Sequence, residues 1–178
     1  MPARAAAVLA CLAALCTLGA CSPTYNWREW RQDGALLQAL MPCKPEQADR
    51  SVPMGGTQVV LHMHSCEAGA VRFALAWADL DDAARAPQAL AAWQLASLRS
   101  IRAESTGTKS LSSEPALAVK GADAVLETDA QGVDHQGQGV HTRALYFARG
   151  HQIYQVAVYG ARLPVDAVTP FFEGLRLP

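Results

Sequence analysis

The sequence predicts an α+β fold, with a largely antiparallel sheet of about six or seven strands. One principal helix and a C-terminal helix are expected to pack on it. Three observations carry that expectation. Two pairs of alternating apolar stretches close on glycine turns, one at Gly55-Gly56 and one near Gly150. Between them Ala86 to Arg102 has the length and composition of a helix. The order of strands, helix, more strands and a last helix suits an antiparallel α+β sheet better than repeated βαβ units.

The chain opens with an export-type segment. Arg4 is its cation, Ala5 to Leu18 is uncharged and mostly apolar, and Gly19-Ala20 supplies small residues. A membrane-spanning helix needs roughly 20 apolar residues, more than this run holds before polar residues follow. Leu18-Gly19-Ala20-Cys21 resembles the lipobox of bacterial lipoproteins. The resemblance implies removal of residues 1–20 as a signal peptide and thioether diacylation of Cys21, often with a further acyl chain such as palmitate on the new amine. Two or more acyl chains give stable anchoring where one gives only marginal binding. Ser22, by the same resemblance, favours the periplasmic face of the outer membrane in a Gram-negative envelope. The plain alternative is a secretory signal with a chance cysteine.

Residues 21–33 read as the lipidated cysteine and a short tether running into a first strand around Asn26 to Gln32. Residues 34–178 read as one domain, long enough to bury a core. Net charge is −1 with 17% charged residues, and no basic stripe marks a nucleic-acid partner. Ala35 to Pro42 is expected as a second, buried strand ending at proline. A two-residue Gly55-Gly56 turn then sets Met54 opposite Thr57 and residue 45 opposite Cys66. Cys43 lies two residues from that position. Cys11 and Cys16 leave with the signal and Cys21 takes lipid, so Cys43 and Cys66 remain as an even pair. They form either a disulfide, which an oxidising compartment preserves, or two buried free thiols.

From Val71 the alternation is clean. Val71, Phe73, Leu75 and Trp77 share one face, which belongs against a helix layer. Arg72, Ala74, Ala76 and Ala78 share the other, which is small enough to be covered or partly wet. In the helix, Ala91, Leu95 and Leu98 form a stripe flanked by Leu90 and Ile101, with Pro87 in the first turn. Glu104 to Pro115 reads as a loop, Ala122 to Asp129 as a strand, and Ala130 to Gly139 as a flexible connection. Val140 to Ala148 and His151 to Gly160 pair around Arg149-Gly150, which sets Tyr146 opposite Ile153 and Leu145 opposite Tyr154. From Pro164 the chain turns helical, with Val165, Val168, Phe172 and Leu175 at helical spacing and Thr169-Pro170 able to restart the helix.

Candidate chemistry is sparse. His62, His64 and Cys66 alternate along one strand and so share a face, where they could ligate zinc or copper. A disulfide would remove Cys66 from that set, leaving two histidines without a third ligand, or simply solvated strand histidines. Asp79, Asp81 and Asp82 lack the further ligands and glycine of a calcium loop and read as a polar turn before a helix. His135, His141 and His151 lie near turns and are given no role. Ser110 to Ser113 forms no nucleophile elbow, and Gly132, Gly137 and Gly139 form no phosphate loop. Trp27 and Trp30 either touch lipid headgroups or pack at the domain edge. No cofactor and no catalytic residue is expected.

The layout carries a second resemblance. The lipobox, "LMPCKP", a helix between hairpins, "RALYFARGHQIYQVAVYG" and a terminal "FFEGLRL" are together similar to small proteobacterial envelope lipoproteins of unknown function, with a PsbP/Mog1/DcrB-type fold. That resemblance implies a binding or assembly role, with no catalytic residues to carry over. The expected function is therefore a lipid-anchored, non-enzymatic module with an envelope protein partner. The alternative is a periplasmic domain that binds a small ligand or metal.

Overall fold

The computed structural model describes residues 23–54, 56–103, 108–110 and 119–178. The signal segment, Cys21 and most of the Glu104–Pro115 stretch lie outside the described residues. In chain order the elements are β1 (Arg28–Trp30), β2 (Ala39–Met41), β3 (Glu46–Met54), β4 (Thr57–Ala68) and β5 (Val71–Asp79), then helix α1 (Ala86–Ser100). They continue with β6 (Thr108–Ser110), β7 (Ala124–Val133), β8 (Gly139–Arg149), β9 (Gln152–Gly160) and helix α2 (Val165–Glu173). The fold is α+β. Six strands make the body of the sheet, in the order β3-β4-β5-β9-β8-β7, and every neighbouring pair is antiparallel. The three residues of β6 pair with the outer side of β7, inside a stretch expected to be loop. β1 and β2 pair only with each other, as a separate two-stranded ribbon.

Alternation along β5 builds two cores, one on each face of the sheet. Val71, Phe73, Leu75 and Trp77 join Leu145, Phe147, Tyr154, Val156 and Val158 under α2 and the β1–β2 ribbon. Phe73 is fully buried, with Phe171 edge-on at 5.2 Å and Trp27 edge-on at 6.1 Å. Trp27 and Trp30 thus pack in the domain, Trp30 being buried. The alanine face is covered as well. Ala76, Ala78, Ala144, Ala148 and Ala157 lie beneath α1 with Tyr146 and Ile153. Small side chains on the sheet let the helix approach closely, and its own bulk fills the space.

The helix faces the sheet differently from expectation. Its buried residues are Ala86, Ala89, Leu90 and Trp93, whereas Ala91 is exposed, Leu95 is 48% exposed and Leu98 is only partly covered. An alanine floor takes Ala86 and Ala89 together with Leu90 and Trp93 for the contact and leaves Leu95 and Leu98 to the rim. Asp82 accepts a hydrogen bond from Ala84 N at 2.9 Å, capping a short 3₁₀ turn (Ala83–Arg85) that leads into α1. At the other end Val133 N donates to Ile101 O at 2.7 Å. Gly132 makes that crossing possible, because a Cβ there would stand 2.1 Å from Ile101 O.

Other boundaries also shift, and the second strand expected at Ala35 to Pro42 narrows to β2. β7 runs on to Val133, so the expected connection at Ala130 to Gly139 shrinks to a turn around Asp134 to Gln138, where Asp134 Oδ1 accepts from Gln136 N and Gln138 N. The last hairpin turns at Gly150-His151, pairing Arg149 with Gln152, Tyr146 with Gln155 and Leu145 with Val156. Gly150 has φ 59°, the positive value required at the first central position of a type II′ loop. The offset from the expected register is two residues, so each side chain keeps its face. α2 is continuous through Pro170, starting after Pro164, and Val165 is exposed, whereas Val168, Phe172 and Leu175 are buried. The β3–β4 register is as expected, Met54 opposite Thr57.

β3 forms one edge of the sheet. Residues 46–51 are all exposed, and Glu46, Asp49, Arg50 and Pro53 give this long edge the charge and the missing donor that discourage pairing with another chain. Among the described residues, no helix is long and apolar enough to cross a membrane.

Candidate functional site

β4 is the strand that carries the candidate residues. His62, His64 and Cys66 do point to one face, the one shared with Trp77, Leu75 and Phe73 of β5. Cys66 is bonded to Cys43, with S–S 2.01 Å and Cα–Cα 5.9 Å. The bond joins the segment after β2 to an interior strand of the main sheet. It also takes Cys66 out of any ligand set. Beside it opens a polar cleft of about 620 Å³, lined by Lys44, Glu46, Ser65, Glu67 and Arg72 with both cysteines. Arg72 Nη2 donates to Glu67 Oε1 at 2.6 Å, so part of the cleft's charge is internally neutralised.

The two histidines differ from each other and from a solvated pair. His62 is partly exposed, stacks on Trp77 at 4.3 Å, and holds its Nδ1 2.9 Å from Asp49 Oδ1 on β3. His64 is only 3% exposed and meets Trp30 of the ribbon edge-on at 4.9 Å. Its Nδ1 is buried with no hydrogen-bond partner. Burial holds the His64 pKa below the ordinary histidine value, Asp49 opposes that effect, and His62 adds to it. A neutral ring with the proton on Nε2 fits these surroundings, because a buried Nδ1–H would be an unsatisfied donor. Among the described residues no group of three or more His, Cys, Asp and Glu is placed to hold a metal ion. His62 and His64 are each engaged by a different tryptophan, and the geometry does not join them into a metal centre.

The remaining candidates are dispersed. Asp79 accepts from Gln152 Nε2 at 2.9 Å and lies 3.2 Å from His151 Nε2, while Asp82 caps the turn before α1. His141 pairs with Asp129 at 2.6 Å near the far edge of the sheet. The calcium-like run is therefore split between the end of β5, at Asp79, and the cap at Asp82. Of the Ser110 to Ser113 run, residues 111–113 lie outside the described residues.

Two polar clusters were not legible beforehand. Glu127 and Arg143 form an ion pair on the α2 side, with Arg143 Nε and Nη2 both donating to Glu127 Oε1 at 3.0 and 2.9 Å. Arg143 also lies over the Phe172 ring at 5.7 Å. The two residues sit diagonally on β7 and β8, a relation visible only once register is known. The second cluster pins the link between β1 and β2. Gln152 Nε2 donates to Gly34 O at 2.6 Å, and Leu36 N donates to Gln152 Oε1 and to Tyr154 Oη at 3.1 and 3.2 Å. Tyr154 Oη in turn donates to Gln152 Oε1. Burial pushes the Tyr154 pKa up to about 12, so this phenol stays a donor throughout the physiological range.

The Cys43–Cys66 bond and the Gln152–Tyr154 network each tie the N-terminal segment to the main sheet. No protein-family model matches the sequence, and no curated protein matches it.

Proposed function

We propose that the protein is a lipid-anchored envelope lipoprotein whose domain serves as a binding or assembly module on the periplasmic face of a membrane, favouring the outer membrane. The observation that carries this reading is Leu18-Gly19-Ala20-Cys21 at the end of an uncharged apolar run. The Cys43–Cys66 bond supports it, since disulfides persist in oxidising compartments such as the periplasm. A non-enzymatic role is supported by the engagement of His62, His64 and Cys66 in packing and bonding. The acyl chains bind the membrane, and a second envelope protein is the partner sought by the folded domain.

The experiment is an intact mass of the protein from the membrane fraction, followed by crosslinking in cells and affinity capture. A mass beginning at Cys21 with acyl chains added, and a reproducible crosslinked partner, are expected. An unacylated mass would refute the anchor, and capture without a reproducible partner would refute the interaction role. A zinc or copper isotherm altered by His64→Ala would favour the ligand-binding alternative instead.

A further inference from the structure

The point where the chain enters the domain is well defined. Thr24 lies over the β4–β5 turn, its Cγ2 3.2 Å from where a Cβ on Gly69 would stand. Tyr25 packs edge-on against Phe73 at 6.2 Å, and Asn26 N donates to Pro42 O at 2.8 Å. The end of β9 abuts the same turn, for a Cβ on Gly160 would stand 2.9 Å from Ala70 O and 3.0 Å from Arg162 O. Gly69-Ala70, Gly160 to Leu163 and the first turn of α2 thus form one continuous end of the molecule.

Cys21 precedes Thr24 by three residues, a span of at most ~11 Å even when fully extended. If Cys21 carries acyl chains, its backbone sits at the bilayer surface, and this end of the domain lies within that reach of it. The exposed side chains here suit such a surface. Val165, 76% exposed, is the most exposed of the large apolar residues among those described. Arg162 is exposed nearby, and a guanidinium is well shaped to bind phosphate oxygens. Arg72 is held by Glu67, and Asp166, near Tyr25, is a further acid of this end.

We propose that the end of the domain formed by the β4–β5 turn, the β9–α2 connection and Val165 rests on the phospholipid headgroups of the membrane that holds Cys21. This rests on the lipoprotein reading and adds an orientation to it. At the opposite end, the Gly150-His151 turn then stands about 30 Å away, the length of the nine-residue strand β9, and the β3–β4 turn about 40 Å away, the length of the 12-residue strand β4. That distal end then faces away from the membrane.

The test uses the full acylated protein in vesicles of phosphatidylethanolamine and phosphatidylglycerol that carry a nitroxide-headgroup lipid. A fluorophore is attached at Ala161→Cys or at Asp81→Cys, with the Cys43–Cys66 bond intact. Quenching at position 161 is expected to be several-fold stronger than at position 81. Combining Arg162→Glu and Val165→Asp should lower quenching at 161 while the mass added by acylation is unchanged; both residues are exposed, so folding is not at stake. Equal quenching at the two positions in acylated protein would overturn the orientation and leave the anchor standing. An unacylated mass would overturn both. Quenching at 161 indifferent to the double substitution would overturn the headgroup contact.

Discussion

Truncating Leu90 and Leu95 separately asks which face of α1 holds the domain together. Both lie on the same helix five residues apart, but Leu90 is fully buried over the alanine floor and Leu95 is 48% exposed. Leu→Ala removes three carbon groups, and about 0.8 kcal/mol for each gives roughly 2.4 kcal/mol of lost transfer energy at a fully buried site. The cavity left under a helix on a rigid sheet adds to that, so Leu90→Ala should cost about 3–4 kcal/mol. In a domain of this size each kcal/mol moves Tm by about 2–4 °C, which makes the expected fall about 10 °C. Leu95→Ala should cost under about 1 kcal/mol, since half of its surface is already wet and alanine is the better helix former. Urea denaturation followed by circular dichroism gives both values at an unchanged m-value. A loss for Leu95→Ala that equals or exceeds that for Leu90→Ala would refute the orientation of the helix.

Closing a loop between residues 23 apart should stabilise the fold by about 3.4 kcal/mol on the chain-entropy model, so Cys43→Ala with Cys66→Ala should lower Tm by about 10 °C. Reductant should lower the Tm of the parent protein similarly and leave the double variant unmoved. Gly132→Ala places a Cβ against Ile101 O and should cost about 2 kcal/mol or more in the same urea assay, whereas Gly139→Ala, which meets open space, should change stability by less than about 0.5 kcal/mol. His64 should make the domain acid-sensitive. Its folded-state pKa lies below the ordinary 6.5, so the unfolded chain binds the proton first, and the stability present above about pH 6.5 is lost as pH falls towards the depressed value. Asp49 and His62 face it from β3 and β4 and Trp30 from the ribbon; His64→Phe keeps the ring contact and should flatten that part of the pH–stability curve. A slope unchanged by His64→Phe would mean that another group is responsible.

The parts of the fold that could be read from the sequence are those written in local pattern. Gly55-Gly56 set the β3–β4 register, which in turn brought Cys43 and Cys66 together, and the period of two in β5 sorted its faces correctly. The helix face departs from the expected one because its contact is made largely by Ala86, Ala89 and Trp93, whereas hydrophobicity alone favours Leu95 and Leu98. The last hairpin was displaced because Arg149-Gly150 and Gly150-His151 are both acceptable two-residue loops, and only backbone geometry at Gly150 chooses between them. At the candidate site the shared face of His62 and His64 was legible, but the burial of His64 was not. Its cover is Trp30, more than thirty residues away in a ribbon whose docking no local pattern encodes. The same holds for Gln152 and Tyr154, whose partners lie in the Gly34 to Leu36 link.

The placement of the disulfide also decides how the domain answers a mechanical pull. Tension entering through the N-terminus first meets the β1–β2 ribbon, which is joined by three residue pairs and seated by Trp30, Leu37 and Met41 in the core and by the Gln152–Tyr154 network. Were the chain uncrosslinked, the load would pass next to β3 and unzip the sheet from its open edge. Because Cys43 is tied to Cys66, the pull is diverted instead into β4, a strand gripped by neighbours on both sides. Some 20 residues of slack, about 70 Å of extended chain, can be drawn out before that happens. The N-terminal ribbon then acts as a strain relief, letting the tether be tugged while the sheet behind it stays closed.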